Sequence, residues 1–193
     1  MTPVSLVTRR SRALLAAAAA LLVTLATSCT APGPAADWRS TLARELPRLG
    51  HRNFVVIADS AYPLQNNPGV QTILADAEHL EVVDVVLDAI AASPHVRPVI
   101  WLDAELGKVP EKMAPGVERY RAALNQRLGG LDVHAAPHED IIMRLDETAN
   151  LYHVLLLKTD LAIPYTSVFV ELQCGYWGDQ AEQILRAAMS GAR

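Results

Sequence analysis

Phe54-Val55-Val56-Ile57-Ala58 is five apolar residues without a polar break, and no other segment constrains this chain as much. That length suits a strand, and unbroken rather than alternating hydrophobicity means that both faces of the strand are covered. Three more segments of strand length are largely apolar: Arg97 to Leu102, Val154 to Lys158, and Ser167 to Leu172. Val70 to Ala75 and Leu131 to Ala135 are weaker strand candidates. Between the strands the apolar period changes to that of a helix. Trp38, Leu42, Leu46 and Leu49 share one side of a helix that Asp37 would cap and Gly50 would stop. Val83, Leu87 and Ile90 do the same over Leu80–Ala92. Further helices are expected over Val117–Leu128, ended by Gly129-Gly130, and over Glu139–Ala149 and Asp179–Met189. Strands alternating with helices predict a single layered α/β/α domain with a mostly parallel central sheet.

The domain is expected to span residues 37–193, because the first 36 residues read differently. Residues 1–28 carry three arginines and no acid, with an apolar run from Ala13 to Val23. Spanning a bilayer takes roughly 20 apolar residues, so the run is short for that. It leads into Leu25-Ala26-Thr27-Ser28-Cys29, which resembles a bacterial lipoprotein signal. That resemblance implies cleavage after Ser28, lipidation of Cys29, and anchoring to a membrane outside the cytoplasm. The alternatives are ordinary secretion with cleavage nearby and a retained anchor. Residues 29–36, with two prolines and a glycine, read as a tether. Without the signal, 14 basic residues face 21 acidic ones, a net charge of −7 with histidine neutral. Such a surface does not suit nucleic acid. Once Cys29 carries lipid only Cys174 remains, so neither an intrachain disulfide nor a four-cysteine zinc site can form.

Ligands of open α/β sheets bind beyond the carboxyl ends of the strands. Asp59 directly follows the best strand, where it either holds ligand hydroxyls or caps its own loop. His51 enters that strand from the other end. A histidine there is either a surface residue or a group that exchanges protons near neutrality. His134 and His138 are four apart, but Pro137 breaks the helix that would make them a metal pair. His138-Glu139-Asp140 reads equally as the acidic opening turn of a helix. Cys174 reads as a buried thiol. Tyr176 and Trp177 either stack on a sugar or pack under the last helix. The sequence contains no Gly-x-Gly-x-x-Gly, no Gly-x-x-x-x-Gly-Lys-Ser/Thr and no Gly-x-Ser-x-Gly.

One string carries a resemblance. Leu49-Gly50-His51-Arg52-Asn53-Phe54-Val55-Val56-Ile57-Ala58-Asp59-Ser60-Ala61-Tyr62-Pro63 is a helix end, Gly-His, an apolar strand and Ala-Asp-x-x-x-Pro. It resembles the RbsD/FucU family of ribose pyranases and fucose mutarotases. Val117-Glu118-Arg119-Tyr120-Arg121 is similar to a helix start of the fucose branch. Val154 to Val168, with Thr159-Asp160 and Ile163-Pro164-Tyr165, resembles the family's C-terminal strand, turn and Pro-Tyr-x-Asn segment. The resemblance implies His51 as general acid/base, with Asp59, His138, Tyr165 and Ser167 binding the sugar. Ser167 stands where the family has asparagine, and Asn53 where it has an acid. It further implies a monosaccharide ligand of the pentose or 6-deoxyhexose class, no cofactor, no metal, and a homo-oligomer with sites near subunit contacts. Family members serve cytoplasmic sugar kinases, so a lipid-anchored member would meet sugars at a periplasmic or outer surface. The rival expectation is a non-catalytic monosaccharide-binding lipoprotein with the same fold.

Overall fold

The computed structural model describes residues 37–191. The expected signal peptide, Cys29 and tether lie outside the described residues. Five strands run the same way and one is reversed, in the order β2-β5-β1-β6-β3-β4. Here β1 is Phe54–Ala58, β2 Val70–Leu74, β3 Val96–Asp103, β4 Asp132–Ala136, β5 Val154–Lys158 and β6 Val168–Cys174. β1 pairs in parallel with β5, β5 with β2, and β3 with β4. The reversed strand is β6, antiparallel to both β1 and β3. The expectation of a mostly parallel sheet holds for five of the six strands, and β6, at the centre, makes the sheet mixed.

Strand alternation explains why β1 has no polar residue. Val55 and Ile57 point to one face, where they join Leu155, Leu157, Val168 and Val170 in the larger core. Phe54, Val56 and Ala58 point to the other, with Leu156 and Phe169. Successive strand residues face opposite ways, so a strand covered on both sides is apolar throughout. The larger core is closed by α1 (Trp38–Glu45), α2 (His79–Ala91) and α3 (Val117–Arg127). The smaller is closed by α4 (His138–Leu151) through Ile141, Leu145 and Ala149. Their four-residue spacing lays a single stripe on the sheet.

Several boundaries and faces differ from expectation. α1 gives way to a 3-10 turn at Leu46–Arg48, where Pro47 sits, although Leu46 and Leu49 stay in the core. Asp37 occupies the N-cap position without a side-chain capping bond. On α2 the buried stripe is His79, Val82, Val83, Val86 and Ile90, and Leu87 is only half-buried. Lys108 ends a 3-10 turn that begins at Ala104. The last helix, α5 (Asp179–Ser190), buries none of its residues. Tyr176 and Trp177 are accordingly 79% and 44% exposed and are not packed beneath it. Cys174 is half-buried rather than buried.

Candidate functional site

Topology decides which residues can meet. β1, β3 and β4 end at one edge of the sheet, and the reversed β6 begins there. Asp59 follows β1, Asp103 closes β3, His138 opens α4 after β4, and Tyr165 to Ser167 lead into β6. His51 precedes β1 and lies at the opposite edge. There it shares a depression with Arg97 at the start of β3 and Cys174 at the end of β6. The five residues of β1 alone span roughly 15 Å at about 3.3 Å each. Within one chain His51 and Asp59 do not meet.

At the carboxyl edge a cavity of about 340 Å³ is lined by Asp59, Tyr62, Asp103, His138, Glu139 and Tyr165, among others. This is within the range of small-molecule clefts, about 300–1,000 Å³. Asp59 is held by both of its oxygens. Oδ1 accepts the Ala61 N–H at 2.8 Å, and Oδ2 accepts the Ser167 hydroxyl at 3.0 Å. The loop-capping alternative thus describes one oxygen. Each carboxylate oxygen has a second lone pair, which leaves acceptor capacity for a hydroxylated ligand. Ser167 is 2% exposed, so its hydroxyl steadies Asp59 from beneath and does not line the cavity. Asn53, at the other edge, closes the turn that carries His51. Its Oδ1 accepts the Gly50 N–H at 2.7 Å and its Nδ2 donates to the His153 carbonyl at 3.1 Å.

His138 is the most constrained residue here. Its backbone N–H donates to both oxygens of Glu105, each at 3.1 Å. A carboxylate at the first turn of α4 also suits the positive end of the helix dipole. Its Nδ1 lies 3.1 Å from Asp103 Oδ2. The ring of Tyr165 stands edge-on to it, with centroids 5.7 Å apart. Tyr165 itself has φ +59°, uncommon for a residue with a large side chain. Strained backbone of this kind concentrates at functional sites. His134 takes a different course. It stacks on Trp101 and bonds Asp132, so the two histidines do not converge.

Asp103, Glu105 and Tyr62 were not singled out by the sequence. Burial pushes the Asp103 carboxyl up to about 6, with the His138 imidazole opposing and the Glu105 and Asp59 carboxylates adding to the rise. Burial likewise drives the Tyr62 phenol well above its ordinary range, helped by Asp146, Asp103 and Asp59. Beside this cavity lies a larger one of about 610 Å³, lined by Val109, Pro110, Met113 and Pro137 and sharing Pro164 and Tyr165. Its mainly apolar wall has few groups to hold a polyol. The smaller cavity is the candidate site.

No known protein-family profile matches the sequence, and no curated protein matches it. Solved structures do. RbsD of Bacillus subtilis complexed with D-ribose is 18% identical, covering 69% of this chain and 92% of its own, with a TM-score of 0.49. FucU of Bifidobacterium longum is 16% identical over 69% and 92%, with a TM-score of 0.48. The fucose mutarotase of Streptococcus pneumoniae, in complex with L-fucose, is 17% identical over 69% and 91%, with a TM-score of 0.45. At such identities a likeness concerns the arrangement of strands and helices. The chemistry of the cavity rests on its own residues.

Proposed function

We propose that this chain interconverts the cyclic forms of a monosaccharide of the pentose or 6-deoxyhexose class, without cofactor or metal. The observation that carries the proposal is the grouping of Asp59, His138 and Tyr165 around one cavity at the carboxyl edge. The string from Leu49 to Pro63 adds the resemblance to sugar pyranases and mutarotases. Opening a cyclic hemiacetal means taking the proton of the anomeric hydroxyl and returning one to the ring oxygen. The open chain then turns about one bond and closes again. An acid/base that titrates near neutrality and acceptors for the hydroxyls suffice for this. Asp59 takes sugar hydroxyls, Ser167 fixes Asp59, and His138 and Tyr165 close over the sugar.

In this reading His51 acts from a second copy within a homo-oligomer, since β1 keeps it from Asp59 of its own chain. Lipidation at Cys29 anchors the protein to a membrane outside the cytoplasm. A second reading, a non-catalytic monosaccharide-binding lipoprotein, gains support from the separation of His51 and Asp59. Saturation-transfer NMR of anomer exchange, over a panel of pentoses and hexoses, tells them apart. The mutarotase reading expects at least one sugar to exchange faster than in buffer, and His51→Ala to slow it. Binding without faster exchange favours the binding protein. Fast exchange untouched by His51→Ala removes His51 from the chemistry and leaves the reaction class standing.

A further inference from the structure

We propose that Asp103 and His138 form an acid/base pair inside a single chain, with His138 Nε2 exchanging the proton of the anomeric hydroxyl and Asp103 positioning the imidazole. The inference rests on the sugar-isomerase reading above and adds to that same site a proton-transfer group beside His51 of the second copy.

Asp103 is 2% exposed, and the only hydrogen-bond partner of its carboxylate among the described residues is His138 Nδ1. Its second oxygen, Oδ1, is buried with no partner among the described residues. Burying a carboxylate with a single donor costs free energy, which an apolar residue or an amide would avoid. Local structure does not account for it. Asp103 makes no side-chain capping bond to the 3-10 turn that follows it, and the amino end of α4 is already served by Glu105. What Asp103 does is hold an imidazole. Its bond to Nδ1 fixes the tautomer with the proton on that nitrogen and leaves the Nε2 lone pair for a ligand. The carboxylates nearest the pair come from separate elements: Asp59 after β1 and Glu105 in the turn after β3, with Glu139 beside His138 on α4.

β3 and β4 bring the pair together. Asp103 stands opposite Ala136 in register, two residues before His138. Glu105 fixes the main chain of His138, Asp103 its Nδ1 edge, and Tyr165 packs against its ring. The side chain of His138 is 33% exposed, so the held ring still reaches the cavity. The step balances. Nε2 takes the proton from the anomeric oxygen, that oxygen forms a carbonyl with C1, and the C1–ring oxygen bond breaks with its electron pair on the ring oxygen. The ring oxygen takes a proton from His51 of the second copy, and ring closure reverses both transfers, the His138 imidazolium, stabilised meanwhile by the Asp103 charge, returning its proton to the carbonyl oxygen. Within the pair His138 is the catalytic residue and Asp103 its positioning residue.

The test combines anomer exchange, measured from pH 4.5 to 8, with the ¹⁵N signals of the His138 imidazole. Asp103→Asn is expected to slow exchange about 100-fold, the lower end of the range for acid–base groups. It should also remove the rise of rate through about pH 6, move the His138 proton off Nδ1, and leave sugar affinity within about threefold. His138→Gln, at a side chain one-third exposed, is expected to lose exchange to the same extent and gives the second measurement should Asp103→Asn not fold. Wild-type rate and pH profile in folded Asp103→Asn overturn the pair while sparing the mutarotase reading. Wild-type exchange in His138→Gln does the same. No acceleration by the unaltered protein with any sugar overturns the mutarotase reading and, with it, the pair.

Discussion

The two edges of the sheet carry similar residues to different effect. Each has a histidine beside a strand end, and each has a non-glycine residue at positive φ: Arg52 at +76° on the amino edge, and Tyr165 at +59° on the carboxyl edge. On the amino edge His51 is exposed, and Arg52 reaches Tyr152 across the surface at 2.7 Å. On the carboxyl edge the polar groups bond one another: Ser167 to Asp59, Asp103 and Glu105 to His138. Direction of the chain produces the contrast. Five strands end at the carboxyl edge, and the one reversed strand begins there, so the residues before β6 join those after β1, β3 and β4. The amino edge receives what is left, His51 among it.

The larger effect on which this contrast can be broken is a pH dependence of stability. Two buried groups titrate in opposite senses, one on each face of the sheet. Asp103 sits at about 6, so between about 4 and 6 the folded chain holds a proton that the unfolded chain has lost, and stability falls as pH rises. His79, on α2, is pulled down to about 4 by burial, with the Ile57 backbone and Asp59 opposing. Between about 4 and 6.5 the unfolded chain therefore holds the extra proton, and stability rises with pH. Each shift is roughly 3 kcal/mol by the usual conversion, and the two offset. In urea unfolding, Asp103→Asn should unmask the His79 slope, gaining roughly 2–3 kcal/mol relative to wild type from pH 4 to pH 6. Parallel profiles of variant and wild type would show that Asp103 is not held as its burial demands.

A smaller effect sharpens the contrast between the two strained residues. Arg52→Gly relieves a left-handed backbone, a cost on the order of 1 kcal/mol or more, and forfeits an exposed contact to Tyr152. It should leave stability unchanged or raised by up to about 1 kcal/mol, with sugar binding intact. Tyr165→Gly relieves the same kind of strain but removes the ring against His138. There sugar affinity should fall although stability does not. Equal loss of sugar affinity in both variants would deny any difference between the edges.

How much of this was legible in the sequence varies with the range of the interaction. β1 was readable because burial on both faces leaves an unbroken apolar run. The stripe Trp38, Leu42, Leu46, Leu49 was readable because it follows helical spacing even where Pro47 tightens the turn. The reversal of β6 was not, since an apolar strand shows no direction. That reversal also sets which edge receives Tyr165 and Ser167. Asp59 was found because an acid follows an apolar strand. The same rule applied to Leu102-Asp103 would have found Asp103, which stands in the same relation to β3. Glu105 left no comparable signal, because its role depends on the start of α4, 33 residues away. The exposure of Tyr176 and Trp177 was hidden too: the spacing of α5 is amphipathic, but spacing does not say whether anything covers it.

The location of the site at the carboxyl edge is tested most directly by titrating sugars into ¹⁵N-labelled protein and recording which backbone amides move. Shifts that include Asp59, Ala61, Asp103, His138 and Tyr165, saturating together, are the expected result. Shifts centred on His51, Cys174 and Trp177, with the carboxyl edge unmoved, would place the ligand at the wrong end of the sheet and contradict it.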